Sequence, residues 1–162
     1  MKKLTMIITM FVFYFNGFSQ CNTKTTHRPD GVTMEYFNPQ PVIRATNYEV
    51  GVSIYKNKTS GDLLLNLSVL FKSMTPKKLS GKTIIQINGD EGIKLPLVLT
   101  DLIKMNGRDL ALGLFLIDEK SYEILKSKDL KSIFFYLNGE LIGSTVTEGR
   151  SLLKKQLECL KI

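Results

Sequence analysis

Residues 48–71 read YEVGVSIYKNKTSGDLLLNLSVLF, two period-two runs meeting across a turn. Tyr48, Val50, Val52 and Ile54 alternate with Glu49, Gly51, Ser53 and Tyr55, which predicts a strand with one face toward a core. KNKTSGD supplies turn residues, and Leu63, Leu65, Leu67, Val69 and Phe71 then share one face of a second strand. The two runs predict a hairpin.

Downstream, KTIIQINGDEGIKLPLVL (82–99) predicts another hairpin, with Thr83 to Ile87 as one strand and Ile93, Leu95, Leu97 and Leu99 on one face of the next. Pro96 has no N–H to give to a ladder, so it predicts an edge position or a bulge. LALGLFLI (110–117) is apolar on both faces, as expected of a central strand covered on each side. DEKSYEILKSKDL predicts a short helix capped by Asp118, with Tyr122, Ile124 and Leu125 turned inward. IFFYLNGELIGSTV predicts a strand pair turning at Asn138-Gly139, a dipeptide suited to left-handed turn positions. In the last segment, Leu153, Leu157 and Leu160 fall at helical spacing, with Leu152 beside them and Lys154, Lys155 and Lys161 for the solvent side. The expected fold is α+β: a mostly antiparallel sheet of about six to eight strands with a short helix and a C-terminal helix, in one domain over residues 47–162.

Residues 20–46 read as a polar N-terminal arm. CNTKTTHRPDG has no apolar period, and Asn38-Pro39-Gln40-Pro41 disfavours helix ahead of the first strand. Before it, residues 1–19 have the layout of a secretory signal: Lys2 and Lys3, an apolar run from Leu4 to about Phe15, then Gly17 and Ser19 as small-x-small. The run is shorter than the ~20 residues that span a bilayer. Cleavage between Ser19 and Gln20 leaves 143 of the 162 residues, enough for one domain, and lowers the formal charge from +7 to +5. The expected location is the periplasm or the outside of the cell.

Cys21 lies just beyond that cut, and the second of the two cysteines, Cys159, lies near the other end of the chain. In an oxidising compartment with no third thiol, the pair suggests a structural disulfide. Two other readings stay open. Cys159 would be a small apolar residue on a helix face while Cys21 sits in a tail, or Cys21 would carry the lipid of an outer-membrane lipoprotein, with Gln20 standing where such signals usually place a small residue. Lipidation would exclude the bridge.

Catalytic and metal chemistry find little to stand on. The one histidine, His27, lies in the polar arm, away from any frame that would orient a base. One histidine and two cysteines do not make a tetrahedral zinc site, and Asn88-Gly89-Asp90-Glu91-Gly92 is explained as a hairpin turn better than as a calcium loop. Asp90 and Glu91 are adjacent and would point apart, whereas paired carboxyls must converge on a scissile bond. Asp109, Asp118 and Glu119 fall at turns and caps. No phosphate-binding glycine loop or dinucleotide motif is present, so no catalytic residue, metal or cofactor is expected. The lysines form a candidate basic surface for an anionic partner, drawn from Lys77, Lys78, Lys82, Lys126, Lys128, Lys131, Lys154 and Lys155, or else serve solubility. Tyr55, Phe115, Phe134 and Tyr136 read as core aromatics.

The leader ending FSQC, the cysteine just past the cut, the strand meander, SYEILKSKDLKSIFFYLNGE and the terminal ECL together resemble small uncharacterised exported proteins of Gram-negative bacteria. The resemblance implies a structural role for the cysteine pair and no substrate. The expectation is a non-enzymatic binding or structural domain whose partner is an envelope component or a protein, not nucleic acid, with membrane contact only if Cys21 is lipidated. The alternatives are the lipoprotein anchored through Cys21 and a small carboxylate-dependent hydrolase.

Overall fold

The computed structural model describes residues 21–87 and 92–160. The leader, the Ser19/Gln20 cleavage position, Lys161 and the turn residues Asn88 to Glu91 lie outside them.

The predicted hairpins are present and antiparallel. In the first, β4 (Tyr48–Asn57) runs beside β5 (Leu63–Phe71), with Val50 opposite Val69 and Ile54 opposite Leu65. In the second, β6 (Leu79–Ile87) pairs with the first part of β7 (Ile93–Met105). β8 (Arg108–Ile117) lies between β5 and β7. α1 (Glu119–Ser127) follows, and the Asp118 carboxylate accepts the Ser121 N–H at 2.8 Å, as its position predicted. β9 (Leu130–Leu137) and β10 (Glu140–Thr145) turn at Asn138 and Gly139, whose φ angles of 48° and 85° are the left-handed pair expected there. α2 (Leu152–Cys159) comes last.

The sheet is larger than the six to eight strands expected, because residues 20–46 are not a bare arm. They supply β1 (Lys24–His27), β2 (Thr33–Tyr36) and β3 (Gln40–Arg44), bringing the described strands to ten. β2 and β3 lie end to end along one side of β4, so they act as one strand interrupted at Phe37-Asn38-Pro39. Pro39 explains the interruption, since it offers no N–H to a ladder. Pro96 stands where β7 changes partners: Ile93 to Pro96 pair with β6, and from Leu97 onward the strand pairs with β8. The expected bulge follows immediately, with Leu97 opposite Phe115 and Leu99 opposite Leu114. Val98 is the extra residue.

The path of strands runs β1-β2-β4-β5-β8-β7-β6-β9-β10 and coils back on itself. Gly113 of β8 leaves room for Leu79 of β6, and Tyr48 of β4 meets the Phe135 ring of β9 edge-on at 6.1 Å. A second bulge closes the seam. Val42 is the extra residue between Pro41 and Ile43, and its redirected carbonyl accepts the N–H of Thr147 at 2.9 Å, just past β10. Val50, Val52, Leu65, Leu67, Phe115, Ile85, Ile133 and Phe135 fill the inside, all fully buried. Leu125 of α1, Leu153 and Leu157 of α2, and Leu160 just past its end join that same core.

Cys21 and Cys159 are joined by a disulfide, with their Cα atoms 5.5 Å apart. The bond fixes the start of the β1–β2 hairpin to the end of α2. No helix among the described residues is long and apolar enough to cross a membrane.

Candidate functional site

The outer face of the sheet carries an apolar groove that the alternation in the sequence conceals. Read with period two, Leu95, Leu97 and Leu99 share a face. The Val98 bulge breaks that period, so Val98 and Leu99 both turn outward, 60% and 54% exposed. On the next strand Leu114 and Leu116 continue the apolar surface, Leu64 of β5 stands opposite Leu116, and Tyr55 of β4 stands opposite Leu64. LALGLFLI is therefore covered on one face only. These residues line a groove of about 600 Å³, within the usual range for small-molecule sites.

One end of the groove is polar and is built by the N-terminal hairpin, where Thr26 and Arg28 overhang it, with Asp62 from the β4–β5 turn nearby. Arg28 is paired with Asp30 at 2.7 Å, and about half of each side chain is open to solvent. Tyr55 stacks on Tyr36 with ring centroids 4.9 Å apart, and burial holds its phenol above the usual tyrosine range, with a further push from Tyr36. It presents a neutral hydroxyl at neutral pH. The aromatics read as core divide accordingly: Phe115 is fully buried, whereas Tyr55, Phe134 and Tyr136 are half-buried, Tyr55 in the groove.

The other sequence candidates are scattered. His27 is exposed on β1, its Nδ1 3.0 Å from the Thr33 hydroxyl. Among the described residues no aspartate or glutamate is buried, and no cluster of three or more His, Cys, Asp or Glu side chains is placed to hold a metal. The Glu49 carboxyl lies below the ordinary range because Lys72 bonds it at 2.8 Å, with Arg44 behind; Asp118 lies below it because of its bonds to Ser121. A general acid needs the opposite displacement.

The lysines separate into groups. Lys77, bonded to Glu140 at 2.6 Å, and Lys78, whose N–H bonds Asn138, lie at one end of the β6–β9 pair. Lys131 lies at the other end, close after Lys126 and Lys128, and Lys82 stands between, opposite Pro96. Lys154 and Lys155 belong to the Lys131 end: Leu130 N–H bonds the Arg150 carbonyl, and α1 packs on α2.

No family model, no curated protein and no solved structure matches the chain.

Proposed function

We propose that the protein is an exported, non-enzymatic binding domain of the bacterial envelope, and that its groove holds an amphipathic small molecule. The apolar body lies on Leu99, Leu114 and Leu116, and the polar or anionic head lies toward Arg28. The observation that carries this reading is the bulge that turns two neighbouring apolar residues, Val98 and Leu99, to solvent in line with three more. Exposed apolar surface of this kind usually marks a binding face, and bulges concentrate beside functional sites. The Cys21–Cys159 bond favours a soluble form over the lipoprotein, because one sulfur cannot carry both a lipid thioether and a disulfide. The hydrolase reading gains no support from the described carboxylates.

The test uses 1-anilinonaphthalene-8-sulfonate, an apolar probe with an anionic head, displaced by dodecanoate. Leu99→Asp alters an exposed side chain and should leave the fold unchanged. Losing one apolar contact of this size should weaken probe binding about tenfold. Unchanged probe and dodecanoate affinities in Leu99→Asp and in Leu114→Gln would refute the assignment.

A further inference from the structure

A second hollow lies where the β2–β3 strand is broken. Phe37 N–H still bonds the Ile54 carbonyl at 3.2 Å, but pairing with β4 resumes only at Gln40, opposite Val52. Ile54 N–H is thus left facing the gap. Gln156 of α2 fills it, its Oε1 accepting that N–H at 2.8 Å. This bond fixes which way the amide points, because the reversed amide would set donor against donor. Nε2 consequently faces away from the strand. It is buried without a hydrogen-bond partner among the described residues, and Gln156 is only 4% exposed. Buried donors left unpaired are uncommon and call for an acceptor.

Gln156 lines an open hollow of about 290 Å³. Among the described residues Lys155 is its sole ionisable lining residue; Asn22, Asn38 and Gln40 add amides, while Phe37, Leu152 and the disulfide supply apolar wall. A cation and a buried donor, with no acid among the described lining residues, favour an anionic acceptor, since charge-assisted hydrogen bonds are the stronger ones. We infer that the hollow is a binding site for a small carboxylate with a short apolar substituent, its oxygens bonded by Gln156 Nε2 and Lys155 Nζ. The site is distinct from the outer groove, and neither requires the other.

The experiment titrates the disulfide-bonded protein, purified from an exporting host, with isovalerate, benzoate and N-acetylglycine. Each is run beside its neutral primary amide, and the Gln156 side-chain NH₂ signals are followed by ¹H–¹⁵N correlation spectra. At least one acid should shift those signals saturably with a Kd of about 1 mM, while its amide binds more weakly. Lys155→Met should weaken that acid at least about fivefold. Gln156→Glu keeps an acceptor for Ile54 N–H, removes the donor and should abolish binding. If Gln156→Glu fails to fold, Lys155→Met alone decides. The inference is overturned if no acid gives a saturable shift, if acids and amides bind alike, or if Lys155→Met binds as the parent does; water would then be the acceptor for Nε2.

Discussion

Breaking the Cys21–Cys159 bond should lower the stability of the whole domain. The bridge spans 138 residues, and chain entropy for a loop of that length gives about 5 kcal/mol. Native strain or residual structure in the reduced chain would make the loss smaller. At about 3 °C per kcal/mol for a domain of this size, Tm should fall by about 15 °C. The loss should also have a local signature. β1 is exposed along its whole length and touches the sheet through β2, which pairs with β4 over Met34 to Tyr36. Without the bond, this hairpin should open ahead of the rest. The assay is urea unfolding of the oxidised protein and of the Cys21→Ser/Cys159→Ser variant, with hydrogen exchange at the β1 and β2 amides. A difference below about 1 kcal/mol, with unchanged exchange in the hairpin, would refute the view that the bond constrains the unfolded chain and holds the hairpin down.

Two further outcomes follow from the packing and the helix cap. A Cβ at Gly113 would lie 2.8 Å from the Phe115 ring and 2.9 Å from Leu79, both deep in the core, so Gly113→Ala should cost about 1–3 kcal/mol in urea unfolding. Gly143→Ala should cost less, because the Phe134 ring that covers it is half-exposed and can swing aside. Asp118→Ala should cost about 1 kcal/mol through the lost N-cap. Because the Asp118 pKa is depressed in the folded protein, its contribution is full above the unfolded value of about 4 and disappears as pH falls through the folded value. Asp118→Asn should therefore flatten the acid limb of stability against pH, and an unchanged limb would contradict the cap's role.

The hairpins were legible because each carries a one-sided alternation, and the Asp118 cap and the Asn138-Gly139 turn because their residue types have few other uses. The N-terminal strands were not. All four residues of β1 are exposed and show no apolar period, while β2 and β3 are interrupted by Pro39 and again by the Val42 bulge. The groove was hidden for a related reason. Val98 and Leu99 are both apolar, so a one-residue slip between them leaves no mark on a hydropathy pattern, yet it turns Leu99 from the inner face to the outer. Gln156 gave no signal either, since its role depends on a gap more than a hundred residues earlier in the chain.

The disulfide and the Gln156 amide both act at the flank of β4 where the β2–β3 strand is broken, and the Val42 carbonyl ties the following strand, β3, to the segment past β10. Ladder hydrogen bonds to β4 are interrupted along that flank, and Cys21 and α2 are brought there to secure it. The groove shares this dependence unevenly. Its leucine floor stands on β5 and β8, which are paired on both sides, and on β7 beside them, whereas Thr26 and Arg28 belong to the hairpin that Cys21 ties down. The bond therefore matters most at the polar end of the groove, where a ligand's head would be oriented, and least on the floor that would hold its apolar body.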